Sequence, residues 1–276
     1  GVQIQPIALA ALDDLRIAGD DLHARSVRRL AEASRDSRQR LDGKTLLEHQ
    51  ADTEEKGPRA RHREVVHRPI HRQGPNIAAG KEERLRILTD AHTCGAEFID
   101  IEWDTPFVEV KQARRGRGII VSRHDFSGTP ADTAAALERL RASGGEVAKL
   151  AVTTERASDL LALLNAARAG GSSIVIGMGA AGMATRILAG HFGSRWTYAG
   201  PAIAPGQITL DRLVEEFHFR RIQPDAAVYA VLGRPVALSL SPAMHNAGFA
   251  ALAMNAAYVP LEARDLDGLR AFAERI

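Results

Sequence analysis

Strand-like and helix-like patterns alternate along most of the chain, and this alternation predicts an α/β fold built on a parallel sheet, because parallel strands need crossover helices. Three observations carry the prediction. Short apolar runs such as Phe98-Ile99-Asp100-Ile101-Glu102 and Val147-Ala148-Lys149-Leu150-Ala151-Val152 recur between segments of helical periodicity. The linkers between them are short. Counted from Val2, seven strands are clear and a poorly patterned stretch leaves room for an eighth, the number that closes a (β/α)8 barrel.

The elements follow in order. Val2 to Ile7 alternates and reads as a strand, and Ala8 to Ala18 reads as a helix with Leu12, Leu15 and Ile17 near one face. Residues 19–64 are rich in Arg, Asp, Glu and His and support no firm assignment; Thr53 to Arg63 has the composition of an exposed loop. Val65-Val66 suits a short strand ending at His67-Arg68-Pro69. Glu82 to Cys94 predicts a helix, then Phe98 to Glu102 and Gly118 to Ser122 predict strands. Thr129 is the expected N-cap of a helix opened by Pro130 and running to Leu140. Strands are expected at Val147–Val152, Ser173–Met178 and Trp196–Tyr198, with helices at Ala157–Ala167 and Gly182–His191 between them. After Ile222-Gln223-Pro224-Asp225 the chain restarts with a strand at Ala227–Leu232, a helix from Pro242 to Leu252 and a strand at Ala257–Leu261. We read residues 1–222 as one barrel domain and 226–276 as part of a second α/β domain, which alone would bury little surface.

Composition narrows the function classes. The chain is 45% hydrophobic and 25% charged, as in a soluble enzyme. A formal net charge of +2 argues against a nucleic-acid partner. No apolar run approaches the roughly 20 residues that span a bilayer, so no membrane role is expected. Cys94, the single cysteine, reads as a small buried hydrophobe, and the first residues lack a secretory pattern, so the expected location is cytoplasmic.

Two residues stand out chemically. Lys149 interrupts an apolar strand, where a lysine must hide its charge or lose it. A free lysine, with a pKa near 10.4, is neutral in only about one molecule in 2,500 at pH 7, so a nucleophilic role for Lys149 expects an uncharged amine. The simpler reading is a strand-end lysine that reaches solvent. His124 follows the strand ending at Ser122, the place where barrel enzymes gather catalytic groups, and imidazole can take and return a proton near neutral pH. The simpler reading is a hydrogen-bonded loop histidine.

Gly177-Met178-Gly179-Ala180-Ala181-Gly182 has the spacing of a dinucleotide fingerprint between a strand and a helix. That reading needs an acid at the end of the next strand, Trp196 to Tyr198, and the first acid beyond it is Asp211. A glycine loop at a helix start also suits a carboxylate, with Arg186 positioned to add a bidentate clamp. Gln207, after Pro205-Gly206, can hydrogen-bond a polar substrate. His62, His67 and His71 match no metal-ligand spacing and read as a solvated basic loop, so no metal is expected.

Together these segments resemble type I 3-dehydroquinate dehydratase, a Schiff-base lyase of the shikimate pathway with a (β/α)8 TIM barrel. Ser122-Arg123-His124-Asp125-Phe126, followed by Thr129-Pro130, looks like its catalytic-histidine motif, and Ala148-Lys149-Leu150-Ala151 like its Schiff-base lysine strand. Met178-Gly179 through Thr185-Arg186 resembles its glycine loop and carboxylate-binding arginine, and Ala204-Pro205-Gly206-Gln207 its closing substrate loop. The resemblance is strong from about Glu82 to Ile222 and poor over residues 1–75. There the family's Glu-x-Arg pair meets Arg38-Gln39-Arg40, so Arg40 fits the arginine while Arg38 stands in place of the glutamate. Arg68 fits an arginine after the third strand, and the glutamate expected a few residues later has no clear counterpart among His71, Arg72 and Gln73.

The tail resembles the substrate-binding opening of shikimate dehydrogenase. Leu232-Gly233-Arg234-Pro235 and Ser239-Leu240-Ser241-Pro242-Ala243-Met244-His245-Asn246 carry the likeness, with Ser239 and Ser241 as its carboxylate-binding serines. The resemblance implies 3-dehydroquinate as substrate, Lys149 and His124 as catalytic groups, and no cofactor for the dehydratase. NADP is implied only where a complete dehydrogenase domain exists, and the residues present do not predict dehydrogenase activity. A homodimer is one arrangement open to such an enzyme. Two other readings stay open: a degenerate barrel that binds without turnover, and another Schiff-base lyase or aldolase on the same barrel.

Overall fold

The structure, a computed structural model, describes residues 96–104, 115–200, 206–236 and 239–276, three earlier strands, and helical residues at 86, 88–90 and 110. Eight strands form one sheet: β1 (Ile7–Ala11), β2 (Leu46–His49), β3 (Glu64–His67), β4 (Phe98–Glu102), β5 (Ile119–Asp125), β6 (Val147–Thr153), β7 (Ser173–Met178) and β8 (Trp196–Ala199). Their order is β7-β6-β5-β4-β3-β2-β1-β8. The free edges of β7 and β8 approach through a parallel bridge between Ser173 and Ser194, and the Arg195 N–H donates to the Ser173 carbonyl at 2.9 Å. The architecture is the expected α/β barrel with a smaller α/β unit at the C-terminal end.

Two strands depart from the expected parallel order. β1 and β2 run together but against the rest, because β1 pairs antiparallel with β8 and β2 antiparallel with β3. β1 also occupies residues read above as helix. Ala and Leu favour helix intrinsically, but here Ala8 to Ala11 pair with Trp196 to Ala199, and a tertiary ladder outweighs a weak local preference.

The described core strands are buried on both faces, which explains their nearly unbroken apolar runs. Outward-facing Ile99, Ile101, Val121, Leu150 and Val175 join the core formed with α1 (Thr133–Arg141) and α2 (Ala157–Arg168), which contribute Leu137, Leu160 and Leu164. Inward-facing Phe98, Ile120, Val147, Ile174 and Trp196 fill the barrel interior. The helix read from Pro130 begins later, at Thr133. Asp132, not Thr129, caps it by accepting from the Ala135 N–H at 2.8 Å. Thr129 instead donates to the Thr153 carbonyl at 3.1 Å, tying the β5 loop to the end of β6. α3 is a short helix at Met183–Ile187 and ends before the expected His191.

The C-terminal unit pairs β9 (Ala227–Leu232) with β10 (Ala256–Leu261) in parallel, joined by α4 (Ser241–Ala251) and followed by α5 (Leu266–Arg275). It does not stand alone. The Asp265 carboxylate accepts from the Ala157 and Ser158 N–H groups at the start of α2, at 2.7 and 3.1 Å. At the other end of α2 the Arg168 guanidinium donates to the Arg275 carbonyl at 2.7 Å. Phe272 and Phe192 pack between the two units with ring centroids 6.1 Å apart. No helix among the described residues is long and apolar enough to cross a membrane.

Candidate active site

Strand register places the chemistry. In neighbouring parallel strands, paired residues point to the same face, and faces alternate along each strand. Ser122 pairs with Glu102 on one side and Lys149 on the other, while Asp100 pairs with Ile120 and His124 with Ala151. Asp100, Glu102, Ser122, His124 and Lys149 therefore share the face of Phe98, Ile120 and Val147, the barrel interior. The apolar residues fill the end where these strands begin, and the polar ones lie toward the C-terminal end, where barrel enzymes react.

Lys149 is 3% exposed, so it does not reach solvent. Its Nζ donates to Asp100 Oδ2 at 2.8 Å, and the Asp100 side chain is fully buried. The same Nζ sits 4.3 Å from the centroid of the Tyr198 ring. Asp100, Lys149 and Tyr198 come from β4, β6 and β8, alternate strands of the barrel, which is how one interior layer is assembled. The sequence led us to expect an uncharged amine for attack; in the structure a buried carboxylate lies within hydrogen-bond distance of that nitrogen.

His124 lies within β5, not after it, because the strand extends to Asp125. Glu102 holds it at two points: Oε1 accepts the His124 backbone N–H at 2.9 Å, and Oε2 lies 2.8 Å from Nδ1. A carboxylate only accepts, so Nδ1 carries the hydrogen in this contact, and in a neutral ring Nε2 is the nitrogen able to accept a proton. Ser122 also donates to Glu102 Oε2, at 3.2 Å, fixing the carboxylate from below. Beside the imidazole, burial raises the Asp125 carboxyl, but the Ser127 hydroxyl and the Arg123 guanidinium outweigh this and hold it below the ordinary carboxylate value.

The glycine loop serves packing. A Cβ at Gly182 would collide with the Gly177 backbone, Gly179 adopts φ +91°, and a Cβ at Gly206 would strike the Gly179 carbonyl. The glycines let the loops after β7 and β8 press together. Arg186, on α3, is 5% exposed, and its Nη1 donates to the Tyr198 carbonyl at 3.3 Å. Arg186 thus touches the residue whose ring faces Lys149. Gln207 is half-buried in the loop after β8. Ser239 and Ser241 lie at the start of α4, in the C-terminal unit and away from the barrel interior, with the Ser241 N–H donating to Ser239 Oγ at 3.3 Å. Arg40 and Arg68 lie outside the described residues. No cluster that could hold a metal ion occurs among the described residues. Sequence reasoning missed Asp100 and Glu102, although their i, i+2 spacing in Phe98-Ile99-Asp100-Ile101-Glu102 puts both on the face of Phe98.

A model of the type I 3-dehydroquinase family matches residues 29–224. The chain belongs to this family. A model of the shikimate dehydrogenase substrate binding domain matches residues 231–276. The Arabidopsis thaliana bifunctional 3-dehydroquinate dehydratase/shikimate dehydrogenase, chloroplastic, is 32% identical over 200 residues, covering 68% of this chain and 33% of the plant protein. The 3-dehydroquinate dehydratase of Methanocaldococcus jannaschii is 38% identical over 153 residues, 52% of this chain and 70% of that one. The crystal structure of 3-dehydroquinate dehydratase from Geobacillus kaustophilus aligns with a TM-score of 0.45 at 29% identity, covering 51% of this chain and 60% of that one. The chain therefore spans about a third of the length of its bifunctional plant relative. The motifs around His124, Lys149, Arg186 and Gln207 all fall within the span of the first family model, and Ser239 and Ser241 fall within that of the second.

Proposed function

We propose that this chain dehydrates 3-dehydroquinate to 3-dehydroshikimate through a Schiff base on Lys149. The observation that carries the reading is a buried lysine in the barrel interior, on the same face as an imidazole that a carboxylate orients. Lys149 attacks the C3 carbonyl and forms an iminium ion, which draws electrons from the ring and makes the C2 proton removable. His124 takes that proton at Nε2 and returns it to the departing C1 hydroxyl, which leaves as water; hydrolysis of the imine then frees Lys149 and releases 3-dehydroshikimate. Arg186 and Gln207 hold the carboxylate and ring, with Arg40 and Arg68 as further substrate contacts. The reaction uses no metal or organic cofactor. Barrel and second unit divide between residues 222 and 226, and in the second unit Ser239 and Ser241 bind a carboxylate. NADP enters only through a complete dehydrogenase domain. A cytoplasmic location and a homodimer complete the proposal.

The test is steady-state absorbance at the enone band of the product. Wild-type protein produces growing absorbance from 3-dehydroquinate, and Lys149→Ala produces none. Ligand binding without absorbance growth in the wild type would overturn the assignment and favour a binding barrel.

A further inference from the structure

We propose that Asp100 is the resting counter-ion of Lys149 and receives its proton when the amine attacks, making Asp100 a catalytic proton carrier for imine formation. The inference rests on the Schiff-base reading above and deepens it. Asp100 and Lys149 lie on strands separated by β5 and meet across the barrel interior at 2.8 Å, with side chains 0% and 4% exposed. A buried ammonium without an anion is costly, and so is a buried carboxylate without a cation, so each holds the other in place.

The charge balance explains why a carboxylate belongs here. An ammonium and a ketone give an iminium and water, so the nitrogen carries one positive charge before and after the reaction. Only the attacking amine is neutral. The Nζ–H proton passes to the Asp100 carboxylate, the nitrogen lone pair forms the N–C bond, and the carbonyl π pair moves to oxygen. That oxygen takes the proton from Asp100 to give the carbinolamine. It then takes a second proton, from the nitrogen by way of the same carboxylate, and leaves as water, with the nitrogen lone pair forming the C=N bond. Asp100 ends as an anion facing the iminium, as it began facing the ammonium.

Several described groups face this pair. Ser122 flanks Lys149 on β5 and Ile174 on β7, Tyr198 faces Nζ from β8, and Arg186 on α3 reaches the Tyr198 carbonyl. The remaining ionisable groups on this face, Glu102 and His124, bond to each other. Asp100 accepts the hydrogen bond from the amine.

The experiment measures borohydride trapping of the 3-dehydroquinate imine against pH in the wild type, Asp100→Asn and Asp100→Glu. Loss of the anion removes what favours the ammonium, so in Asp100→Asn the midpoint of the rise with pH moves at least one pH unit lower. The plateau rate falls more than tenfold because the proton acceptor is gone, and Asp100→Glu recovers part of it. A profile for Asp100→Asn with an unchanged midpoint, or a plateau within twofold of wild type, overturns the proposal while leaving the Schiff base standing. No trapping in the wild type overturns the underlying function instead. Should Asp100→Asn fail to fold, 15N NMR of lysine-labelled wild-type protein decides. An ammonium resonance at pH 7 that disappears in Lys149→Met supports the pairing, and a neutral-amine resonance contradicts it.

Discussion

Glu102 touches His124 through both carboxylate oxygens, one on the backbone and one on the ring. Those contacts fix where the imidazole sits and which nitrogen can accept a proton. Glu102→Gln keeps the shape, but its amide cannot accept at both points, so the ring loses its defined tautomer. We expect kcat to fall on the order of 100-fold, the scale of general-base catalysis, with KM within a few-fold of wild type. Steady-state kinetics on the purified variant check this, and a wild-type kcat would remove Glu102 from the account. At this scale the sequence was informative where chemistry conflicted with pattern. Lys149 is conspicuous as a cation inside an apolar strand. Asp100 and Glu102 were less visible because acids at alternate positions of a strand look like a solvated face. Only the burial of the opposite face as well, at Ile99 and Ile101, shows that this strand has no solvent side.

At the scale of elements, the strands from β4 to β8 were legible because both faces are buried and their ends are marked by glycine and polar residues. The glycine motif was ambiguous from its letters alone. The structure resolves it as two backbones in contact, Gly177 against Gly182, ahead of a helix of only five residues. Gly182→Ala would push α3 away from β7 and carry Arg186 with it. Overpacking of this kind costs about 1–3 kcal/mol, which lowers Tm by roughly 2–12 °C in a protein of this size. Differential scanning calorimetry together with KM for 3-dehydroquinate checks it; an unchanged Tm and KM would mean that the loop has slack. α5 was missed, although Leu269 and Phe272 are three apart and Phe272 is buried. Its apolar face is narrow, and what defines the helix is its docking on α2.

For the molecule as a whole, the C-terminal unit is joined to the barrel by specific contacts. One of them is a titratable latch. His191, buried beyond α3, has its Nε2 2.9 Å from the Ala226 carbonyl at the start of the second unit. Burial pushes its pKa below the ordinary value near 6.5, against the raising effect of the Ala226 hydrogen bond. The unfolded chain therefore takes up a proton at a higher pH than the folded one. Stability is fully present above the unfolded value and declines as pH falls from about 6.5 toward the lowered folded value. Urea midpoints at pH 7.5 and 5.5 should show a loss on the acid side that His191→Asn reduces, and an equal loss in both proteins would rule the latch out. The contacts between the barrel and the second unit were not legible in the sequence, because they join residues about a hundred positions apart, such as Ala157 and Asp265.

The central claim is a covalent bond between Lys149 and the substrate carbonyl. Intact-mass measurement after borohydride reduction in the presence of 3-dehydroquinate, followed by peptide mapping, tests it directly. The account predicts one reduced adduct per chain, located on Lys149 and absent from Lys149→Ala. An active wild-type protein that gives no adduct, or an adduct on another lysine, would contradict it.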